Sequence, residues 1–144
     1  MEALDYSIFP ERTVVYTDFW TRFAAAFIDG LIIIVLSFVV KLILSDVALS
    51  ENYSLRLFSN IILGWIYNAL QESGPKMATV GKRAMEIKVT GQDGERITFG
   101  QATGRHFGKI ISTLILFIGY FMMLWDERRQ TLHDKMAGTL VVLR

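Results

Sequence analysis

Arg22 and Asp29 are the side chains of this sequence best placed to do chemistry. Seven residues make about two helical turns, so both side chains project from nearly the same face, roughly 10 Å apart along a helix axis. Arg22 can reach the end of the apolar segment that holds it, but Asp29 lies well inside. A carboxylate in such a segment could take up a proton or a sodium ion. It could equally be a structural acid, hydrogen-bonded to Asn60, Tyr67 or Asn68 or paired with a basic residue of a later helix.

Residues 125–139 form a second polar cluster, the densest in the chain, which contains Asp126, His133 and Asp134. Such a cluster could bind a cation or a proton, although charges of both signs in one loop are also typical of a solvated, mutually paired surface. His133 beside Asp134 resembles half of a metal site or of an acid–base pair. One histidine with scattered carboxylates is weak support for either, so the question of a metal stays open.

The composition excludes several functional classes. The chain has no cysteine, only two histidines and a formal net charge of +1, so cysteine chemistry, a structural zinc site and a broad nucleic-acid interface are not expected. No nucleophile–base pair is visible, and Gly91–Gly94 lacks the Lys-Ser/Thr of a phosphate-binding loop. We therefore expect neither an enzyme nor a cofactor, and no nucleic acid as a partner.

Three apolar segments must position these charged groups, and the first predicts a membrane helix. Residues 23–44 carry only two charges and, as a helix, would span about 33 Å, enough for a hydrocarbon core of about 30 Å. The second segment, residues 55–70, places a polar stripe on one helical face, which should turn toward protein or a water-filled cleft: Asn60, Gly64, Tyr67, Asn68 and Gln71.

The third apolar segment, residues 110–125, follows a lead-in that begins at Thr98, where Thr98 to Gln101 matches a capping box. Gly100, Gly104 and Gly108 recur every four residues in the lead-in, and they predict either a close-packing seam or ordinary loop composition. Gly119 lies in the middle of the apolar run. It is consistent with a break that would turn the segment back before it crosses a membrane.

Short alternating stretches predict a small sheet. Residues 84–90 alternate as a strand, Gly91–Gly94 reads as a turn, and residues 96–98 follow, which together indicate a hairpin. Residues 139–143 are β-branched and free to add a third strand. The predicted fold class is an all-α membrane protein of about three hydrophobic helices (about 19–44, 55–71 and 101–125) with a small cytoplasmic β-hairpin.

Lys and Arg mark the cytoplasmic side when they are counted in short loops. Seven of the fifteen lie between the second and third segments, whereas the first loop and its flanks hold only Lys41 and Arg56. This distribution predicts a cytoplasmic N-terminal segment, residues 1–15, and a cytoplasmic central loop. If the third segment turns back, thirteen of the fifteen lie inside, which favours a cytoplasmic C-terminus over three full crossings.

Several of these motifs together resemble the RDD family of small membrane proteins, over about residues 16–143. The resemblance rests on Arg22 and Asp29, on residues 79–83 with Gly81 and Lys82, on Arg105, and on residues 132–139 with His133, Asp134, Gly138 and Thr139. It implies that Asp134, rather than Asp126, is the second aspartate of the family name. One departure is Glu86, where members of the family often have glycine before the strand.

The resemblance implies a multi-pass protein of the cell membrane and leaves two functions open. The first is a transporter or cation/proton exchanger that acts as a homo-oligomer. Asp29 would carry the ion, Arg22 and Asp134 would gate or compensate it, Asp126 is a further candidate, and the polar stripe of the second helix would line the route. The second is a non-transporting scaffold or assembly partner whose buried polar residues specify helix packing. The expected partners are the lipid bilayer and either a second copy or another membrane protein.

Overall fold

The computed structural model describes residues 14–43, 53–115 and 118–144. Two long helices come first: α1 spans Phe19–Ile43 and α2 spans Tyr53–Glu72. Then follow α3 (Val80–Ala84), β1 (Ile87–Gly91), α4 (Phe99–Leu114), α5 (Ile118–Phe121), a 3-10 turn (Met122–Leu124), α6 (Leu132–Ala137) and β2 (Thr139–Leu143). The architecture is mostly helical with one two-stranded antiparallel sheet.

Helix α1 is the element best suited to a membrane. It has 25 residues, and within the described residues it alone is long and apolar enough as a single helix to cross a bilayer. Most of its apolar side chains are exposed in the chain, including Ile34 and Phe38, whereas Ala25 and Asp29 are buried. An apolar helix that faces outward along most of its length fits lipid rather than water as its surroundings.

The third apolar segment is broken, so three membrane helices are not confirmed. Helices α4 and α5 turn by 115° relative to each other, with residues 116 and 117 outside the description. Gly119 packs against α4 so closely that a Cβ atom there would lie 2.7 Å from Ser112 Oγ. A close approach of this kind requires glycine, and the break predicted around Gly119 lies between α4 and α5, just before it.

The capping box at the start of α4 is present, and it is one reason why the predicted hairpin is wrong. Thr98 Oγ1 accepts from the Gln101 N–H at 3.2 Å, while Gln101 Oε1 accepts from the Thr98 N–H at 2.9 Å. Residues 96–98 therefore lead into a helix instead of pairing with β1. The turn after β1 does form, with the Gly91 N–H donating to the Glu95 carbonyl at 2.9 Å.

Strand β1 pairs with β2 from the C-terminus, with Ile87 opposite Leu143 and Gly91 opposite Thr139. The predicted C-terminal strand thus exists, but it is the direct partner of β1 rather than an addition to a hairpin. On its other edge β2 meets the segment before α1, where the Thr17 N–H donates to the Val141 carbonyl at 3.1 Å. The sheet ties both ends of the domain to its middle.

A small apolar core lies between the sheet and the adjoining helices and includes Ile87, Val89, Ile97 and Val141. Helix α6 packs across α4 at Gly108, where a Cβ atom would lie 2.9 Å from His133 Cβ. The other two glycines of the predicted seam have no such contact, since a Cβ at Gly104 would meet no atom within 4 Å. The glycine seam is thus a single point of close approach.

Candidate functional site

A chain of buried ion pairs joins five helices (α1, α2, α3, α4 and α6) where α1 begins and α2 ends. Arg22, in the first turn of α1, pairs with Asp134 of α6 through Nη1 and Oδ2 at 2.6 Å. Its other terminal nitrogen, Nη2, donates to the Arg129 carbonyl at 2.7 Å. The side chain predicted to reach the end of the membrane helix therefore docks the C-terminal part of the chain onto α1.

Asp134 is fully buried and is held from three directions. Beside Arg22, it pairs with Arg105 Nη1 at 2.7 Å and accepts from the Thr131 N–H at 3.2 Å, at the start of α6. Burial alone would raise the pKa of Asp134, but the guanidinium groups of Arg105 and Arg22 outweigh it and hold the pKa well below its usual range. This carboxylate stays ionised at neutral pH.

Arg105 of α4 links the two carboxylates of the network. Its Nη1 also donates to Thr139 Oγ1 at 2.9 Å, and its Nε lies 3.2 Å from Glu72 Oε2. The side chain is buried along with both of its acidic partners. A planar guanidinium with several donors suits this position, because a single ammonium group could not reach both carboxylates at once.

Glu72, the last residue of α2, is the second carboxylate of the network, and the sequence analysis missed it. It is fully buried and pairs with Lys82 of α3, with Arg105, and with Lys109 of α4, whose Nζ lies 3.7 Å away. One signal could have found it: Glu72 follows Asn68 by four residues and extends the polar stripe of α2.

Lys82, in the short helix α3, is a buried cation of the network with a shifted pKa. Burial lowers its pKa to about 8, with Glu72 opposing the shift and Lys109 adding to it. The network as described contains four cations (Arg22, Lys82, Arg105 and Lys109) and two carboxylates (Glu72 and Asp134), so it carries an excess of two positive charges. The Lys82 ammonium group therefore loses its proton at a lower pH than an exposed lysine would.

Asp29 forms a separate site in which its described hydrogen bonds come from uncharged donors. Oδ1 accepts from the Tyr67 hydroxyl and from the Gly81 N–H, both at 2.8 Å, and Oδ2 accepts from the Thr79 hydroxyl at 2.5 Å. A Cβ atom at Gly81 would lie 2.2 Å from the Ala25 carbonyl oxygen. Asp29 and Gly81 thus dock the start of α3 onto α1.

Of the partners proposed for Asp29, Tyr67 contacts it, Asn68 binds elsewhere, and Asn60 is exposed. Asn68 donates to the Gly64 carbonyl at 2.8 Å and accepts from Lys109 Nζ at 3.2 Å. Asn60 lies on an exposed part of α2. The C-terminal part of the polar stripe therefore does turn toward protein, as predicted. Its members contact different elements: Tyr67 binds Asp29 of α1, and Asn68 binds Lys109 of α4.

His133 is buried against α4, with Nδ1 lying 3.4 Å from Ser112 Oγ. Burial lowers its pKa to about 3, so the ring is neutral at physiological pH. Within residues 14–43, 53–115 and 118–144, no three His, Asp or Glu side chains are grouped in a way that could hold a metal ion. The close fit against Gly108 gives His133 a packing role.

The remaining predicted residues shape the loop around α6. Asp126 pairs with Lys135 and accepts from the backbone N–H of Gln130 at 2.9 Å. Gly138 ends α6 in the left-handed conformation at φ 63°, which glycine adopts without strain. Asp126 thus lies apart from the ion pairs of Asp134.

These features define a class: a small membrane protein whose long apolar helix is fastened to a polar cap by buried ion pairs. The chain belongs to the RDD family, which matches residues 16–138. Proteins of this family are membrane-associated, so this chain is a membrane protein.

Related proteins occur in several bacteria. Uncharacterized protein YxaI of Bacillus subtilis (strain 168) is 31% identical over 146 residues, which cover 88% of this chain and 96% of YxaI. The proline-rich antigen homolog of Mycobacterium tuberculosis (strain ATCC 25618 / H37Rv) is 28% identical over 154 residues, 90% of this chain and 64% of that protein. Uncharacterized protein RP437 of Rickettsia prowazekii (strain Madrid E) is 28% identical over 103 residues, 71% and 53% respectively. The chain thus spans less than two thirds of the last two relatives, and no solved structure matches it significantly.

Proposed function

We propose that the chain is a multi-pass protein in which α1 and α2 cross the membrane and α4 and α5 return to the cytoplasmic side. Helix α2 has 20 residues, about 30 Å of helix. The pairing of β1, before α4, with β2, after α5, supports a return, because paired strands must lie on the same side of a membrane. The positive charges of the central loop and the tail then lie together inside.

We propose that this protein acts as a structural assembly subunit, the second of the two functions left open by the sequence, and further that it self-associates. The observation that carries this proposal is that groups fixed by the fold already surround its three buried carboxylates. Asp29 has three hydrogen-bond donors fixed by the fold, and Glu72 and Asp134 each face at least two cations. A carboxylate that exchanges ions must be able to release its partners.

Electrostatics also favours assembly over cation transport. A sodium ion that approached Glu72 would meet the charges of Lys82, Arg105 and Lys109, all within 4 Å of that carboxylate. Like charges at such distances repel strongly in a poorly hydrated site. Fixed ion pairs are better suited to hold the polar cap, formed by α3, α4 and α6, rigidly on α1 and α2 than to pass a cation.

The surface for self-association is the N-terminal part of the polar face of α2, around Asn60. Gly64 and Tyr67 of this face are covered, because Gly64 lies against His106 and Ile33, and Tyr67 bonds to Asp29. Asn60 continues the same face one turn before Gly64, yet it is exposed in the single chain. An amide left without a partner in hydrocarbon costs several kcal/mol, so a second copy that pairs with Asn60 would stabilise the protein.

Cysteine cross-linking tests this proposal directly, because the chain has no native cysteine. We expect Asn60→Cys in native membranes to form a disulfide-linked dimer on mild oxidation. Ile62→Cys is the matched control, since it lies at similar depth on the opposite face of α2 and is also exposed. Equal cross-linking at both positions, or none at residue 60 in folded protein, would refute assembly through this face.

Cation/proton exchange is the second candidate, and one observation favours it: the buried Lys82 has a pKa of about 8 beside Glu72. Loss of this proton near physiological pH would leave Glu72 with one cation fewer. The test is sodium uptake into proteoliposomes driven by a pH gradient, with Lys82→Met and Asp29→Asn as variants and empty vesicles as control. Uptake above that of empty vesicles that both variants abolish would favour exchange, and uptake equal to empty vesicles would favour the assembly role.

A further inference from the structure

An apolar cleft of about 620 Å³ opens beside the first turn of α1, outside the ion-pair network. Its volume lies within the usual range of small-molecule sites, about 300–1,000 Å³. The walls come from α1 and from the helical turns after α4, and they are mainly aromatic and aliphatic: Phe19, Trp20, Phe23, Phe121, Met123 and Leu124. Three charged residues complete the lining: Asp18, Asp126 and Arg129.

The structure holds the two walls of the cleft in place. Phe19 of α1 stacks on Phe121 of α5, with ring centroids 5.6 Å apart and ring planes 15° apart. Met123 is buried beneath, and the Arg129 loop is fixed to α1 by the hydrogen bond from Arg22 to the Arg129 carbonyl. The cleft is therefore part of the fold and not a gap between independent segments.

The position of the cleft points to lipid. It lies at the end of the helix best able to cross the membrane, so one side of it meets the boundary between hydrocarbon and water. Trp20 on its wall and the nearby Trp125 are 72% and 80% exposed. Tryptophan is enriched at this boundary, where its ring can face acyl chains while its N–H reaches water.

The charges of the cleft distinguish one class of headgroup from others. Arg129 offers a guanidinium that suits a phosphate, and Asp18 and Asp126 offer carboxylate oxygens that suit an ammonium group. Asp18 already accepts from the Thr21 hydroxyl. Asp126 already pairs with Lys135 and accepts from the Arg128 and Gln130 N–H groups. A carboxylate has about four acceptor positions, so each of the two keeps at least one for an ammonium group. A lipid with only negative charge would face two carboxylates, and a choline group has no N–H to donate.

We propose that this cleft binds one phospholipid with a primary amine headgroup, of the phosphatidylethanolamine class. An acyl chain lies along the aromatic and aliphatic walls, the phosphate contacts Arg129, and the ammonium group contacts the carboxylates of Asp18 and Asp126. The site requires only that the protein reside in a membrane. It does not depend on self-association or on transport.

The test is native mass spectrometry of delipidated protein in detergent, titrated separately with phosphatidylethanolamine, phosphatidylcholine and phosphatidylglycerol of identical acyl chains. We expect one phosphatidylethanolamine per chain, bound about tenfold more tightly than the other two lipids, since charge-assisted hydrogen bonds discriminate on this scale. Equal binding of all three lipids, a preference for phosphatidylglycerol, or no stoichiometric binding would overturn the proposal.

Neighbouring residues provide matched variants. Arg129→Gln should weaken phosphatidylethanolamine binding about tenfold, whereas Arg128→Gln, outside the cleft, should leave it unchanged. Asp126→Asn should remove most of the preference over phosphatidylcholine, with Glu127→Gln as its control.

A further variant separates the lipid site from the local ion pair. Asp126→Asn also removes the pair with Lys135, so Lys135→Gln is included, and it should retain lipid preference because the carboxylate remains. Loss of preference in Lys135→Gln as complete as in Asp126→Asn, or equal effects at Arg128 and Arg129, would show that the cleft charges do not select the lipid.

Discussion

Arg105 is the residue whose replacement should damage the fold most clearly. Its guanidinium contacts Asp134 at 2.7 Å, Glu72 at 3.2 Å and Thr139 at 2.9 Å, all in buried surroundings. Arg105→Leu would leave two buried carboxylates each with one cation fewer. Breaking a buried ion pair by removing one partner costs about 3–5 kcal/mol of unfolding free energy.

The expected loss lies near the lower end of that range, about 3 kcal/mol, because Arg22 still faces Asp134 and the two lysines still face Glu72. Arg105→Lys keeps the charge but can contact only one carboxylate at a time. It should therefore lose one charged hydrogen bond, about 2 kcal/mol. The order of stability is wild type, then Arg105→Lys, then Arg105→Leu.

The assay is reversible unfolding of the purified protein in detergent at neutral pH, followed by tryptophan fluorescence. Arg96→Leu is the matched control, since Arg96 is exposed in the loop before α4 and should change stability by no more than about 0.5 kcal/mol. If the unfolding free energy of Arg105→Leu lies within about 1 kcal/mol of the wild-type value, or Arg105→Lys is as stable as wild type, the ion pairs do not hold α3, α4 and α6 onto the two long helices.

Three further changes can be checked in the same unfolding assay. Glu86→Gly should stabilise the protein by about 0.5–1 kcal/mol, because Glu86 adopts the left-handed conformation at φ 55° and glycine does so without strain; no gain would contradict this. Gly81→Ala should destabilise it by more than 1 kcal/mol, since the added Cβ would lie 2.2 Å from the Ala25 carbonyl, whereas Gly104→Ala in open space should be neutral or stabilising by up to about 1 kcal/mol. The folded chain keeps His133 neutral with a pKa of about 3, while the unfolded chain protonates it near 6.5. The free energy of unfolding should therefore fall as the pH drops below 6.5, by about 2 kcal/mol at pH 5. His133→Gln should flatten that pH dependence, and an unchanged slope in this variant would assign it to other groups.

Local patterns carried much of the fold. The uninterrupted apolar run predicted α1, and the pair Thr98 and Gln101 predicted the start of α4, because helix formation and capping depend on residues within one or two turns. The strand at residues 139–143 and the break near Gly119 were also legible in the sequence. Glu86 departs from the glycine of the family at a position that proves to be left-handed.

Pairing between distant segments was not legible in the same way. The alternation of residues 84–90 predicted a strand, which the structure has at Ile87–Gly91, but it did not identify the partner, since any nearby strand could satisfy its backbone groups. Residues 96–98 do not pair with β1, because they lead into the capping box that starts α4. The strand that pairs with β1 is instead β2, near the end of the described chain. The choice between partners depends on the whole fold, because each candidate segment has its own competing structure.

The charged site divides along the same line. The sequence by itself determined which residue types could matter, Arg22, Asp29 and Asp134, because charges inside or beside apolar segments are costly and conspicuous. Only the tertiary structure decided their partners: Arg22 pairs with Asp134 across 112 positions, and Glu72 joins the network through Arg105. Coulomb interactions depend on distance in space, so packing decided which charges meet.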